Sequence, residues 1–303
     1  MIEPGNVTAV ELQKCTICDC GKLRPMPGFE DKFLHSCRDC GFVFATKIPT
    51  EKELKDYYNN YSYDKAYYVS PITLKRYEEI LQGLARYRKL NRLLDVGCGN
   101  GIFLGVAQSM GWEVYGVEFS QKGVAVCQEN GLENVYQGTL EGLFHKIPEV
   151  DVVISIEVLE HINTPRSEVE LFYRKLRNGG AVYLTTPNFN SLNRYLTGAD
   201  YDVIAYPEHL SYFTRKTLRR LFQDVGFQSK NIQTTGVSLS RFANSTKKSG
   251  KENPFVSGSQ DEKLRIASET RAHMRLLKKM ANRLLDVTGT GLSLKGLFEK
   301  PSG

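Results

Sequence analysis

Two carboxylates and two imidazoles follow apolar stretches of this sequence in a pattern that could do chemistry. The segment 151–162 reads DVVISIEVLEHI, so Glu157, Glu160 and His161 come directly after a run of buried-type residues, and His209 follows later in a Pro-Glu-His-Leu motif. Carboxylates and imidazoles can transfer protons as general acids and bases. They can also bind a divalent cation, with carboxylates favouring Mg²⁺ or Mn²⁺ and imidazoles also accepting Zn²⁺ or Fe²⁺. A third interpretation is structural, because the same residue types cap helices and hydrogen-bond to loops.

A second constellation lies near the N-terminus and has the spacing of a zinc site. Two C-x2-C pairs are separated by 18 residues, and the four cysteines are Cys15, Cys18, Cys37 and Cys40. Four thiolates can enclose Zn²⁺ tetrahedrally and leave no open position for chemistry, so the predicted metal is structural. Disulfides are the alternative, but no secretory signal is recognisable and cytosolic thiols stay reduced. Equal numbers of acidic and basic residues over 15–40 make this module a poor binder of nucleic acid.

Strand and helix patterns alternate from residue 91 onward, and these elements position the cluster of Glu157, Glu160, His161 and His209, called the acidic cluster below. Such alternation predicts an α/β fold with a parallel sheet and helices on both faces. In this arrangement a ligand lies at the carboxyl ends of the strands. Expected strands cover 92–97, 112–118, 134–138, 151–157 and 181–187, and expected helices cover 101–111, 120–131 and 166–180.

The first strand–helix turn is rich in glycine and is preceded by an acid. Gly97, Gly99 and Gly101 follow Asp95, and Glu118 ends the next strand. The pattern is G-x-G-x-G, so it departs from the G-x-G-x-x-G fingerprint of pyrophosphate binding. Glycines let a ligand approach the backbone, and an acid at the end of the second strand can accept hydrogens from both ribose hydroxyls. The cradle therefore suits a cationic adenosine compound such as a sulfonium.

These motifs together resemble the class I S-adenosylmethionine-dependent methyltransferases. The resemblance rests on LLDVGCGNG (93–101), VYGVEFS (114–120), DVVISIEVLEHI (151–162) and LRNGGAVYLTTPN (176–188). The segment YPEHLSYFTRKTLRRLFQDVGF (206–227) is similar to a branch with a P-x-HLS-x-FT signature, which often carries an N-terminal zinc ribbon and modifies sugars or secondary metabolites. The E-x-x-E-H motif with a later His resembles the ubiquinone-pathway O-methyltransferases and the small-RNA 2′-O-methyltransferases. In the small-RNA enzymes the four residues hold a divalent ion against two substrate oxygens.

The resemblance implies a Rossmann-like seven-stranded sheet, with an antiparallel last strand, that binds S-adenosylmethionine. The glycines would line the methionine portion, Glu118 would bind the ribose, and Thr139 or Leu140 would lie near the adenine. The expected cofactor residues are Asp95, Gly97, Cys98, Gly99, Gly101, Glu118, Phe119, Thr139, Leu140 and Ile156, and the expected catalytic residues are Glu157, Glu160, His161 and His209. The implied cofactors are S-adenosylmethionine, structural Zn²⁺ and, under the metal interpretation, Mg²⁺ or another divalent ion.

The resemblance also divides the chain. We expect a zinc ribbon over 1–50, a Tyr-rich connecting segment and helix over 51–90, and the methyltransferase domain over 91–303. Within that domain 227–236 and 292–301 would form the closing antiparallel hairpin, with a helical insertion over 237–290. The insertion is expected to contain a mobile stretch over 246–262 and a basic helix over 263–286, whose apolar face would present Ile266, Leu277, Met280 and Leu284.

The predicted function is O-methylation of a sugar or small hydroxylated metabolite. N- or C-methylation of a sugar nucleotide and RNA 2′-O-methylation are the alternatives. Residues 241–303 carry 13 Lys and Arg against 6 Asp and Glu, which favours the RNA alternative, but no aromatic and basic residues interleave as they do where bases stack. A small-molecule or carbohydrate acceptor is therefore expected. The absence of a long apolar run predicts no membrane span, and a cytoplasmic location is expected.

Overall fold

The computed structural model of the 303-residue chain describes residues 11–50, 53, 69–198, 201, 203–236 and 272–303. Two sheets organise these residues. The larger has seven strands, which are β4 (Arg92–Val96), β5 (Glu113–Glu118), β6 (Val135–Gln137), β7 (Val150–Ile156), β8 (Leu176–Pro187), β10 (Gln228–Thr235) and β11 (Ser293–Glu299). Their order is β10-β11-β8-β7-β4-β5-β6, and β11 runs antiparallel to both of its neighbours. The predicted α/β fold and closing antiparallel hairpin are confirmed.

Helices cover both faces of this sheet because its central strands are apolar on both sides. On one face lie α1 (Pro71–Leu84), α2 (Ile102–Ser109) and α3 (Gln121–Glu129), and on the other lie α4 (Pro165–Lys175) and α6 (Arg215–Val225). Neighbouring residues of β7 divide between two cores, with Val153 in one and Val152 and Ile154 in the other. All three are completely buried. The short helix α5 (Leu192–Thr197) follows β8.

The boundary between α4 and β8 differs from the prediction. The sequence predicts a helix over 166–180, but α4 ends at Lys175 and the strand begins at Leu176. Three hydrogen bonds place this boundary. Lys175 Nζ donates to the carbonyl oxygens of Phe144 and Ile147, both at 2.7 Å, and Arg177 Nε donates to buried Asp151 at 2.5 Å. The two glycines after Arg177 lie inside the strand. A Cβ at Gly180 would be 2.8 Å from the Asp151 carbonyl oxygen, so Gly180 lets β8 approach β7.

The smaller sheet contains the cysteine segment and a strand from far along the chain. Its order is β1-β2-β3-β9, with β1 (Leu23–Pro25), β2 (Leu34–Cys37), β3 (Val43–Ala45) and β9 (Ser211–Tyr212). The sequence pattern did not predict β9, because a strand of two residues has no recognisable periodicity. Cys15, Cys37, Cys40, Phe42 and Phe44 belong to the same buried cluster as residues of β7, α4 and α6. The ribbon is therefore packed directly on the core of the larger sheet.

The helix before β11 also differs in detail. The described helix α7 covers Ala272–Thr288, so it runs beyond the predicted end at residue 286. Among the side chains of this helix that the structure describes, Leu285 is buried, whereas Met280 and Leu284 of the predicted apolar face are 63% and 65% exposed. Asp286 fixes the helix through an ion pair with Arg215 and by accepting from the Thr234 N–H at 2.8 Å.

Several predicted features lie outside the described residues. They are the Tyr-rich part of 51–68 apart from Glu53, the stretch 246–262, and the first part of the basic helix with Ile266. The Leu277 side chain is likewise not described. Among the residues that the structure does describe, no helix is both long enough and apolar enough to cross a bilayer.

Candidate active site

A glycine-lined cradle forms where β4 and β5 end. The Glu118 carboxylate accepts from the Gly99 N–H at 2.9 Å through Oε2 and from the Ser120 N–H at 2.8 Å through Oε1. Both oxygens are thus held in place by backbone donors, yet each keeps a further lone pair. This arrangement holds the carboxylate ready to accept hydrogen bonds from the two hydroxyls of a ribose.

The three glycines of the cradle are required, or leave space, for different structural reasons. A Cβ at Gly97 would be 2.5 Å from Val158 Cγ2, and one at Gly101 would be 2.5 Å from Leu132 and 2.7 Å from the Cys127 sulfur. Both therefore allow close packing within the protein. Gly99 has φ +55°, and a Cβ there would meet nothing within 4 Å. Its missing side chain leaves open space, as expected where a ligand approaches the backbone.

Asp95 lies buried beneath this cradle. Burial, and then the neighbouring Glu118, raise the pKa of the Asp95 carboxyl well above its usual range. A nearby cation would lower it again, because an opposite charge favours the ionised carboxylate. The Asn100 Oδ1 atom is also buried, and it has no hydrogen-bond partner within the described part of the chain. An open glycine, a ribose-type carboxylate and an unpaired acceptor together fit S-adenosylmethionine, which is a cationic nucleoside.

The remaining predicted cofactor residues fall into two groups. Phe119 is 68% exposed beside Glu118, and Thr139 is exposed beyond β6, where its hydroxyl accepts from the Gly142 N–H at 3.3 Å. Leu140 and Cys98 are buried, and Ile156 is partly buried at the end of β7. Phe119 and Thr139 are thus open to a ligand at the rim of the cradle, whereas Leu140 belongs to the core.

The acidic cluster lies next to the cradle, at the end of β7. The imidazole centroids of His161 and His209 are 4.8 Å apart, and the ligand-type atoms of Glu160, His161 and His209 all lie within 4.8 Å of one another. Glu157 is close enough to Glu160 to influence its ionisation, but it lies outside this three-residue set. The contact between the Gly97 position and Val158 joins the cofactor loop directly to this segment.

Threonines of β8 and loop carbonyls hold these four side chains. The Thr186 hydroxyl donates to Glu160 at 2.9 Å, and the Thr185 hydroxyl donates to Glu157 at 2.8 Å. Glu157 has φ +54°, in the left-handed region that non-glycine residues rarely adopt. Such strained residues cluster at functional sites. Neither threonine was predicted, although both occupy the last positions of an expected strand.

The hydrogen bonds of the two imidazoles define which tautomer each neutral ring adopts. His161 Nδ1 lies 2.8 Å from the Glu208 carbonyl oxygen, and His209 Nδ1 lies 2.6 Å from that of Val203. Because a carbonyl oxygen only accepts, each Nδ1 carries the proton in the neutral ring and each Nε2 retains a lone pair. Both imidazoles can therefore take up a proton or bind a cation through Nε2.

Burial determines the charge of the cluster. It raises the pKa of the Glu160 carboxyl well above the usual range, and the charge of Glu157 adds to this effect. Burial, followed by the proximity of His209, lowers the pKa of His161. The protein alone therefore shifts Glu160 towards its protonated form and His161 towards its neutral form. A divalent cation would favour the ionised form of Glu160.

Comparison with known proteins places this site in a family. The model for the methyltransferase domain matches residues 72–232, more than half of the chain. The chain belongs to the methyltransferase domain family. It has the fold of the class I members, for which S-adenosylmethionine is the methyl donor.

Relatives of this methyltransferase include ubiquinone biosynthesis O-methyltransferases. The ubiquinone biosynthesis O-methyltransferase of Pseudomonas putida F1 is 34% identical over an alignment of 153 positions, which covers 46% of this chain and 66% of the relative. That of Pseudomonas entomophila is 37% identical over an alignment of 118 positions, which covers 36% of this chain and 51% of the relative. The matched part is thus just under two thirds of the first relative's length.

Solved structures share the fold of the methyltransferase. An S-adenosylmethionine-dependent methyltransferase from Archaeoglobus fulgidus superposes with a TM-score of 0.51 at 20% identity, covering 76% of this chain and 93% of that one. The [4+2]-cyclase SpnF superposes with a TM-score of 0.52 at 17% identity, covering 84% of this chain and 98% of that one. At such low identities the likeness is one of fold.

The four N-terminal cysteines of the methyltransferase fit a structural zinc ion. Their sulfur atoms all lie within 4.8 Å of one another, with Cys15 and Cys40 at 3.5 Å and Cys18 and Cys37 also at 3.5 Å. A tetrahedral site with Zn–S bonds of about 2.3 Å places its sulfurs about 3.8 Å apart. Cys20 is not part of this set, and its sulfur accepts from the Lys22 N–H at 3.4 Å.

Proposed function

We propose that this methyltransferase O-methylates a small acceptor that carries neighbouring hydroxyl groups. The observation that carries the proposal is the convergence of Glu160, His161 and His209 beside the cofactor loop. Relatives named as ubiquinone biosynthesis O-methyltransferases support the same class of reaction. The acceptor hydroxyl in this proposal can belong to a sugar or to another small molecule, since the cluster would act on the hydroxyl group itself.

Methyl transfer from a sulfonium to a hydroxyl requires alignment and removal of one proton. The acceptor oxygen forms a bond to the methyl carbon as the bond from carbon to sulfur breaks, and S-adenosylhomocysteine leaves as a neutral thioether. The donor needs no activation, so most of the rate enhancement comes from positioning. The acceptor proton passes to a base, and the Nε2 lone pairs of His161 and His209 are available to receive it.

The same residues could hold a divalent cation. Glu160 and the two Nε2 atoms would be its ligands from the protein, with Glu157 close by. When bound, such an ion would lower the pKa of an acceptor hydroxyl. The buried carboxyl of Glu160 would then be ionised, which removes the conflict between its burial and its charge.

Transfer of labelled methyl groups to matched acceptors tests the proposal. The probes are 3,4-dihydroxybenzoate, its singly hydroxylated analogue 3-hydroxybenzoate, and a nucleotide-linked hexose, each with methyl-labelled S-adenosylmethionine. We expect methyl ether formation on a probe with adjacent hydroxyls, in preference to the singly hydroxylated one. Mass spectrometry of the product locates the label, and methylation at carbon or nitrogen would instead support the sugar-nucleotide alternative and contradict the proposal.

A further inference from the structure

The segment that carries His209 is built into the sheet of the cysteine ribbon. Strand β9 pairs antiparallel with β3, with Val43 opposite Tyr212 and Phe44 opposite Ser211. One residue further, the Ala45 N–H donates to the Leu210 carbonyl oxygen at 2.9 Å. The ribbon therefore holds the backbone immediately after His209.

The opposite side of the same segment is bonded to the acidic cluster. The Leu210 N–H donates to the Glu160 carbonyl oxygen at 2.8 Å, and the Ser211 hydroxyl donates to the Ile162 carbonyl oxygen at 2.6 Å. His161 Nδ1 completes the contact through the Glu208 carbonyl oxygen. Residues 208–211 thus lie between ribbon strand β3 and the segment that carries Glu160 and His161.

Buried aromatic packing makes this connection stiff. The Phe42 and Phe213 ring centroids are 5.1 Å apart, and Phe42 also stacks on Phe44 at 5.7 Å. All three rings are at least 99% buried. Close-packed interiors transmit displacements because they contain little free volume. A shift of β3 would therefore move the His209 segment.

Two polar contacts hold the ribbon against the helices of the main domain. Arg166 of α4 donates to the Ile17 carbonyl oxygen at 2.9 Å, between Cys15 and Cys18. Arg220 of α6 forms an ion pair with Asp39 at 2.8 Å, beside Cys40. Each cysteine pair is therefore fixed to a different helix, so the folded ribbon has a defined position relative to β7.

We propose that the ribbon is a positioning element of the active site, with Ala45 and Ser211 as the positioning residues. Through them the folded ribbon sets the placement of the His161 and His209 imidazoles. The inference rests on the proposed role of these imidazoles at the acceptor. The bonds that hold Glu118 come from Gly99 and Ser120 and involve no ribbon residue. Loosening the ribbon connection should therefore disturb the imidazoles and leave cofactor affinity intact.

Two pairs of variants separate this role from general damage to the ribbon. Ser211→Ala removes the bond to Ile162, and its control Ser36→Ala removes a hydroxyl that donates to the Arg24 carbonyl oxygen inside the ribbon. Ala45→Pro removes the N–H that reaches Leu210. Its control Thr46→Pro removes the next N–H, which donates to Phe33 within the ribbon.

The readout is the imidazole signals in ¹H–¹⁵N spectra of the full-length, zinc-loaded protein labelled at histidine. The chain has five histidines, and His161→Gln and His209→Gln assign the two of interest. We expect Ser211→Ala and Ala45→Pro to shift both signals, with zinc content and the calorimetric Kd for S-adenosylmethionine unchanged. Both control variants should keep the wild-type signals. If Ala45→Pro does not fold, Arg166→Met tests the ribbon in its place, because it removes the hydrogen bond that holds the Ile17 carbonyl oxygen of the ribbon to α4.

The outcomes distinguish this inference from the proposed function. Unmoved imidazole signals in folded Ser211→Ala, or equal shifts in Ser36→Ala, would overturn the positioning role whatever the acceptor is. Failure to methylate any hydroxylated probe would remove the proposed function while leaving a shift specific to Ser211→Ala intact. With an active acceptor, the positioning role also predicts a lower kcat for Ser211→Ala and an unchanged KM for S-adenosylmethionine.

Discussion

His161 and His209 meet edge to face, with their ring centroids 4.8 Å apart and their planes at 68°. They come from different loops, and each Nδ1 is bonded to a backbone carbonyl oxygen of the loop that precedes Leu210. The two rings are therefore fixed by the same short segment, and within the described part of the chain no hydrogen bond is made by either Nε2 atom. This arrangement leaves both Nε2 atoms able to receive a proton from an acceptor hydroxyl.

The zinc ligand set is open to direct measurement. Cys37→Ser should lower the zinc content and destabilise the ribbon, because metal binding contributes folding free energy to such modules. Elemental analysis of the purified protein measures the first effect, and thermal unfolding measures the second. Cys20→Ser is the matched control and should retain full zinc. Full zinc loading of the Cys37 variant would show that the ligand set is wrong.

Because the space at Gly99 is open, we predict that a side chain there blocks binding of the cofactor. Gly99→Val should abolish S-adenosylmethionine binding in calorimetry, because its side chain would fill the cradle. Gly131→Val is a suitable control, since Gly131 also has a positive φ and open space but is exposed beyond the C-terminal end of α3. It imposes similar backbone strain and should retain binding. Equal affinities of the two variants would refute the assignment of the cradle.

Stability should reveal the cost of burying Glu160. In the unfolded chain a Glu ionises near pH 4.3, whereas burial keeps the Glu160 pKa well above that value in the folded protein. The contribution of Glu160 to the free energy of unfolding therefore falls as the pH rises above the unfolded pKa. Glu160→Gln should raise the Tm more at pH 8 than at pH 4, without added divalent ions. The same change at exposed Glu129 should show no such difference.

Much of this architecture could be predicted from sequence, for physical reasons. Buried strands such as Val150–Ile156 are apolar at most positions, and glycines end the helices between them, so the alternation can be recognised locally in the sequence. The end of α4 could not be predicted, because it depends on the contact of Arg177 with Asp151 across the sheet. From the sequence alone, the two glycines at 179 and 180 predict the end of a helix.

The site was predictable to a similar degree. Glu160 and His161 were identifiable because polar residues rarely follow a core strand without reason, and His209 was linked to them by family resemblance. The hydroxyl of Thr186 and the orphan Asn100 Oδ1 were not identifiable, because burial and hydrogen bonding depend on the folded arrangement. Strand β9 likewise exists only through its pairing with β3.

Chelation and pH separate the two ways of removing the proton. An enzyme that uses a divalent ion should lose activity in EDTA and regain it with Mg²⁺ or Mn²⁺, each tested separately from Zn²⁺ because the ribbon also binds metal. An enzyme with His161 as a free base should resist EDTA. Its rate should rise with pH through a midpoint below about 6.5, since burial lowers the pKa of His161. A midpoint above that value would exclude His161 as the base.

The central claim is that the imidazoles at the end of β7 act on the acceptor. The most direct measurement compares methyl transfer by His161→Gln and His145→Gln, with S-adenosylmethionine affinity determined for both. His145 is exposed and lies outside the cluster, so its variant controls for the loss of one imidazole. We predict that His161→Gln lowers kcat at least about a hundredfold, the lower range for a general base, with cofactor affinity within about twofold of wild type. Turnover by His161→Gln equal to that of His145→Gln would contradict the account.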